Sequence, residues 1–340
     1  MKKLLNTLYV TTSGMYLRLE GECIAVEHEQ KLVSRIPVHS LSGVVCIGNI
    51  MCSPHLLGYC AEKGVKVSFL TESGKFLARV EGAVSGNVML RMNQMQTASD
   101  SKKSLSIAKN FIISKILNTR TVIQRRLRDH GDDEACRTAV SYLAQMVRRI
   151  PDTDNFDSLR GIEGECARLY FSVFNKLILS NHEIFDISTR NRRPPQDPTN
   201  SMLSFLYTLL AHECEGALES VGLDPQIGFF HALRPGRPSL ALDLMEEFRA
   251  VTADRLTLSL INRNQISRKD FVVSASGAVS FKADARKMII QAWQKRKKEV
   301  IIHPFLNEKI EIGLLFYVQA LLLSRCLRGD IDAYPPYLLK

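Results

Sequence analysis

Three stretches of this chain bring together residue types that hold a divalent cation. The first is Gly161-Ile162-Glu163-Gly164-Glu165-Cys166-Ala167-Arg168-Leu169-Tyr170-Phe171. On a helix, positions 163, 167, 170 and 174 share one face, and they read Glu, Ala, Tyr and Phe. Glu163 therefore lies on an otherwise apolar stripe. A buried carboxylate is costly unless it meets a counter-charge or a metal, and both an arginine partner and a metal are open here. Glu165 falls on the other side, three residues before Arg168, with a solvated ion pair within reach. The second stretch runs from Gly222 to His231, with Asp224 and Pro225 reading as the N-cap and first residue of a helix. His231 then falls one turn after Ile227 and Gly228, where a lone histidine is more often a satisfied core residue than a ligand. The third is Ser239 to Arg249. Ala241, Leu244, Met245 and Phe248 make an apolar face and Asp243, Glu246 and Glu247 an acidic one. Taken alone, that acidic face is a solvated one.

Together the three stretches say more than each does separately. A Pro-Gly-Arg-Pro turn at 235–238 can bring His231 near Asp243 and Glu246, and Glu163 enters from a separate helix. One imidazole with carboxylates suits Mn²⁺, or Mg²⁺ with retained waters, better than a structural zinc. Such a cation would neutralise the acids, admit a DNA phosphate and activate a water or a 3′-hydroxyl. Without it the acids would repel one another, so removing one is not expected to unfold the chain.

The elements that must position these residues follow from periodicity. Met15 to Glu20, Cys23 to Glu27, Leu32 to Ile36 and Val44 to Ile47 read as strands. Ser53-Pro54 opens a helix that runs through Glu62 and is closed by Gly64; Val65 to Leu70 and Phe76 to Val80 are further strands. After glycines 82 and 86 the pattern becomes helical: Ser104 to Arg128, Glu134 to Arg149, Phe156 to Ser180, Ser201 to Leu218, Pro225 to His231, Ser239 to Arg249, Ala283 to Lys298 and Glu311 to Arg328, with a hairpin at Phe271 to Phe281. The expected fold is α+β. A small β-rich domain (1–88) and a linker (89–98) precede a larger, mainly α-helical catalytic domain (99–340).

The chain has 340 residues and a formal net charge of +10, which points to a polyanion and foremost to nucleic acid. Arginines cluster at 125–128 and at Arg190, Arg192 and Arg193, the latter in a proline-rich loop that reads equally as a solvated loop or a phosphate-contacting one. None of the eight cysteines forms a C-x-x-C pair, and the irregular Cys46, Cys52, His55, Cys60 group argues against zinc. Reduced thiols in a cytoplasmic protein are the expectation. The opening Met1-Lys2-Lys3-Leu4-Leu5 is interrupted by Asn6, Thr7, Thr11 and Thr12 and lacks a small-residue cleavage site, so no signal peptide is expected; nor is a membrane span.

Four blocks in order carry a family resemblance: Gly161-Ile162-Glu163-Gly164, Asn191-Arg192-Arg193-Pro194-Pro195, Gly222-Leu223-Asp224-Pro225, and Pro235 to Arg249. With the β-then-α texture across nearly the whole chain, they resemble the CRISPR-associated integrase that inserts new spacers, the universal adaptation endonuclease. The type I branch is nearest, with subtype I-C within it. The resemblance implies a metal, Mg²⁺ or Mn²⁺, held by Glu163, His231 and Glu246, with Asp243 as a supporting acid and Glu247 the dispensable one. It implies that Arg249, with Arg190, Arg192 and Arg193, meets DNA phosphate, and that Asn200 and Tyr207 lie near the site. It also implies a homodimer through the N-terminal domains, a small ferredoxin-like partner protein, and short DNA duplexes whose 3′ ends are joined to a repeat array. The competing reading is a non-catalytic nucleic-acid scaffold.

Overall fold

The computed structural model describes residues 7–41, 43–71, 76–80, 82, 88–191 and 194–339. Residues 1–6, read above for a leader peptide, lie outside these, as do Gly86, Arg192 and Arg193. The chain divides into two compact units, Met1–Ser85 with Phe281–Glu299, and Gly86–Ser280 with Val300–Lys340.

In the first unit the strands are β1 (Thr7–Val10), β2 (Met15–Glu20), β3 (Cys23–His28), β4 (Lys31–Pro37), β5 (Gly43–Ile47) and β6 (Met51–Cys52). Helix α1 (Pro54–Glu62) and strands β7 (Lys66–Leu70) and β8 (Phe76–Val80) follow. Two four-stranded sheets result, in the orders β1-β5-β7-β8 and β4-β3-β2-β6. The alternation read from Met15 to Glu20 pairs antiparallel with β3 in unbroken register, from Met15 opposite His28 to Glu20 opposite Cys23. Leu17, Ile24, Val44, Cys46, Leu56 and Val67 fill the core of this unit. Ser53 caps α1 as expected, its hydroxyl accepting from the Leu56 N–H at 3.2 Å.

The chain continues as helices α2 (Val88–Ser99), α3 (Ser101–His130), α4 (Glu134–Arg149), α5 (Phe156–Val173), α6 (His182–Phe185), α7 (Pro198–Ser220), α8 (Ser239–Glu246) and α9 (Arg255–Asn262). Strands β9 (Phe271–Val273) and β10 (Val279–Phe281), helix α10 (Ala283–Lys297), strands β11 (Val300–Ile302) and β12 (Lys309–Glu311), and helix α11 (Ile312–Arg328) complete it. Among the described residues no helix is long and apolar enough to cross a membrane. Residues 89–98, expected as a linker, lie inside α2. Its Gln94 is fully buried and donates to the carbonyls of Asp224 and Ile227 at 2.7 and 2.8 Å.

The expected helix at Pro225 to His231 is not one. The N–H groups of Phe229, Phe230 and His231 donate to the Asp243 carboxylate at 2.6 to 2.9 Å instead of to backbone carbonyls one turn back. The expected helix from Ser239 to Arg249 is α8 followed by a wide, π-type turn, Arg249–Asp254. The helix from Phe156 tightens into a 3₁₀ turn at Phe174–Leu177 rather than running to Ser180.

Candidate active site

Helix α3 carries the residue on which the site turns. Around Lys115 the helix is apolar on its inner side, with Phe111, Ile112 and Ile116 buried. The Lys115 side chain is 14% exposed, and its ammonium lies 2.7 Å from Glu246 Oε2 and also contacts Glu163 Oε1. One cation thus bridges an acid from α5 and an acid from α8. The partner of Glu163 is a lysine, not the arginine considered from sequence. Glu165 does not use Arg168: its carboxylate accepts from the Tyr142 hydroxyl.

His231 is set by Asp243. The Asp243 side chain has no exposed surface; Oδ2 accepts the N–H groups of Phe229 and Phe230, and Oδ1 accepts that of His231 and faces His231 Nδ1 at 2.7 Å. The imidazole is thus oriented through Nδ1, and Nε2 makes no hydrogen bond among the described residues. Asp243 is therefore spent on holding the turn and the imidazole, which is what a supporting acid does and a direct ligand does not. The close approach also explains Gly228: a Cβ there would lie 2.7 Å from the Ser239 carbonyl carbon and 2.8 Å from Asp243 Oδ2. Replacing Asp243 with asparagine should cut metal-dependent turnover about 10- to 100-fold, with folded protein retained. A loss no larger than twofold in a nicking assay would detach Asp243 from His231's function.

The acidic face of α8 is not solvated. Asp243, Glu246 and Glu247 are 0, 6 and 0% exposed. Burial alone would raise the Glu246 carboxyl, but Arg249, Lys115 and His231 outweigh it and hold it down at about 2. Arg249 forks onto Glu246 at 2.8 and 3.1 Å. With two cations against Glu163 and Glu246, the site is neutral as it stands. The expectation that the acids repel one another without a metal is corrected: Lys115 and Arg249 hold them. Glu247 points elsewhere. It accepts from the Tyr334 hydroxyl, from the Tyr337 N–H at 2.7 Å and from Gln319 at 3.0 Å, while burial pushes its carboxyl up to about 8.

A cavity of about 530 Å³ opens beside these acids, lined among others by Lys115, Glu163, Arg190, Tyr207, Glu246 and Arg249. The Tyr207 ring lies under both guanidinium groups, 4.2 Å from that of Arg249 and 5.4 Å from that of Arg190. Its hydroxyl donates to Asp254 at 2.6 Å, and Tyr170 donates to the other oxygen at 3.1 Å. Burial raises the Asp254 carboxyl despite these donors. Asn200 accepts from Arg190 at 2.7 Å and donates to Thr189 and Asp197. Arg190 and Arg249 thus stand at the cavity, and Asn200 and Tyr207 orient them. At 125–128, Arg125 and Arg128 pair with Asp129, and Arg126 bonds the carbonyls of Lys176 and Gly131.

The residues fit a cation site, since an ammonium already occupies the bridging place between Glu163 and Glu246. As they stand, no three His, Cys, Asp or Glu side chains among the described residues converge on one point, and that includes Cys46, Cys52 and Cys60. The approach of Cys46 Sγ to Cys52 Sγ is 4.0 Å, and all eight cysteines are free. Lys115, Asp254 and the buried α3 polar residues Ser114 and Asn118 are not singled out from sequence. The available signal was a lysine inside the buried run Phe111-Ile112-Ile113-Ser114-Lys115-Ile116, where only a buried acid can repay its charge.

Residues 8–295 match the family described as CRISPR associated protein Cas1. The chain is 52% identical over 340 residues to CRISPR-associated endonuclease Cas1 1 of Chlorobaculum tepidum, covering 99% of each protein. It is 50% identical over 347 residues to CRISPR-associated endonuclease Cas1 2 of Rhodospirillum rubrum, covering 100% of each. Its fold is similar to that of a CAS1 protein from Thermotoga maritima, with a TM-score of 0.85 at 22% identity over 97% of this chain and 99% of that one. Shared sequence over the full length, with the ordered acid, histidine and acid blocks in one unit, places this chain in the CRISPR-associated Cas1 family.

Proposed function

We propose that this chain is the divalent-metal-dependent DNA endonuclease and integrase of CRISPR adaptation, joining the 3′ ends of short foreign duplexes to the repeat array by transesterification. The observation that carries the reading is Lys115's ammonium between Glu163 and Glu246, at a cavity rimmed by Arg190 and Arg249, with His231 near enough to Glu246 to help hold its carboxyl down. Glu163, Glu246 and His231 would hold a Mg²⁺ or Mn²⁺, which would supply Lewis acidity to the phosphate and to the attacking oxygen. The protein's own part is positional. Asp243 orients the imidazole, Arg249 holds Glu246 ionised, and the Arg190–Tyr207–Arg249 stack offers cationic edges to a phosphate. The Tyr207 hydroxyl donates to Asp254, and the attacking group in this reading is a 3′-hydroxyl or water. Purified protein with Mn²⁺, a short duplex with free 3′ ends and a supercoiled repeat plasmid tests the reading; absence of both nicking and joining would refute it.

The reading extends to partners. Double-stranded DNA is the substrate, a small ferredoxin-like adaptation protein the assembly partner, the cytoplasm the compartment, and type I, subtype I-C, the branch. The +10 charge supports a polyanion, and Arg192 and Arg193 join Arg190 and Arg249 as phosphate contacts. DNA affinity should fall with salt at a log–log slope of roughly −3 or steeper; a flat dependence in a fluorescence-anisotropy titration would count against phosphate contacts.

Homodimerisation through the N-terminal domain is supported by edge strand β4, whose Leu32 and Val33 are 47 and 57% exposed. Because Phe281–Glu299 belongs to the same compact unit, an isolated fragment of residues 1–88 would lack part of its own fold, and the full chain is the sample to use. Sedimentation should give a dimer for the full chain and a shift toward monomer for Val33→Asp. An unshifted dimer would place the interface elsewhere.

A further inference from the structure

Lys115 is the cation that touches both proposed metal-holding carboxylates, and its charge has the same sign as the metal's. Its ammonium bridges Glu163 and Glu246, the two carboxylates assigned to the cation, from 2.7 Å in the case of Glu246. The side chain is 14% exposed, and its helix is pinned by bonds from Asn110, Ser114 and Asn118 to the chain at Tyr334 and Tyr337. The ammonium is therefore delivered to this place by a fixed backbone, not by a mobile loop. A divalent cation between the same two acids would stand at contact distance from a positive charge, and like charges at that distance repel strongly. The lysine stem is flexible, and the open space beside it is the cavity it already lines.

We propose that Lys115 is a built-in competitor of the divalent cation. It occupies the cation's place in the metal-free protein, keeps the two acids paired there, and must turn into the cavity before metal can bind. This inference rests on the proposed metal site. A purely structural ion pair, by contrast, would stabilise the fold without setting metal affinity.

The competition lowers the apparent affinity for metal by the fraction of molecules in which the acids are free. Lys115→Met and Lys115→Gln remove the charge; Lys115→Arg keeps it. Mn²⁺ affinity is read by electron paramagnetic resonance of free Mn²⁺, and thermal melts are taken with and without Mn²⁺. Both neutral variants should bind Mn²⁺ about tenfold or more tightly than the parent, and Lys115→Arg within about threefold of it. The metal-free melting temperature should fall in Lys115→Met, and the rise on adding Mn²⁺ should be larger than in the parent. Where Lys115→Met does not fold, Lys115→Gln, which can still bond both carboxylates, carries the comparison. Neutral variants that bind Mn²⁺ no more tightly than the parent would overturn the competitor role while leaving the metal site in place. Failure of parent and variants alike to bind Mn²⁺ would overturn the metal site itself.

Discussion

Replacing Glu163 with alanine should abolish Mn²⁺-dependent joining, by roughly a thousandfold or more, while Glu165→Ala leaves it within about twofold. The two residues are neighbours in sequence and opposites in surroundings. Glu163 shares the Lys115 ammonium with Glu246, whereas Glu165 only takes a hydrogen bond from Tyr142. Glu246→Gln and His231→Ala should match Glu163→Ala, because each removes one of the proposed metal ligands. Stability separates the variants. Glu246→Ala leaves Lys115 and Arg249, 14 and 18% exposed, facing one another without their shared carboxylate, and should cost about 3 kcal/mol. Glu163, at 23% exposure, should cost less. Joining assays paired with thermal melts read both effects. An active Glu163→Ala protein, or one in which only Glu165→Ala is inactive, would move the site off this face of α5.

Glu247→Ala should be among the most destabilising substitutions in the helical unit, at about 3 to 5 kcal/mol, or roughly ten degrees in melting temperature. The Tyr334 hydroxyl, the Tyr337 N–H and the Gln319 amide all end on this carboxylate, and each is buried. Removing it strands the Tyr334 hydroxyl and the Tyr337 N–H, while the Gln319 amide keeps the Tyr334 oxygen and the Pro335 carbonyl. From sequence Glu247 read as the dispensable acid, which remains the expectation for the metal but not for the fold. Glu247→Gln keeps the volume and should lose less. A melt of Glu247→Ala within two degrees of the parent would mean that water reaches the cavity and satisfies those donors.

The contrast between Glu246 and Glu247 marks how far sequence patterning reaches. Local signals were readable: α4 runs from Glu134 to Arg149 as its amphipathic pattern predicts, and α1 begins at the Ser53-Pro54 cap. The ordered blocks lead to Glu163 and Glu246, which the structure joins through Lys115. What could not be read was which way each acid points once buried. That depends on partners up to 90 residues away, such as Tyr337 for Glu247. The turn at 225–231 was misread as a helix for the same reason. Asp224 and Pro225 are good helix-start residues, but a buried carboxylate from α8 captures the N–H groups that a helix would have used. Lys115 was overlooked because a lysine in a 30-residue helix is unremarkable until the acids opposite it are known.

The bonds that tie Tyr334, Tyr337 and Leu339 to α3 and to Glu247 have a bearing on how the enzyme is made. Asn110, Ser114 and Asn118 bond the chain at Tyr334 and Tyr337, Leu339 N–H returns to Asn118, and Asn118 also holds the Glu247 carbonyl. The stretch beginning at Tyr334 is translated long after α3, α5 and α8, yet its bonds close the packing behind α3 and α8. Without this stretch Glu247 would stay buried and lose the Tyr334 hydroxyl and the Tyr337 N–H. A chain lacking it would carry all the proposed metal ligands and still lose the bonds that hold α3 and α8 from behind.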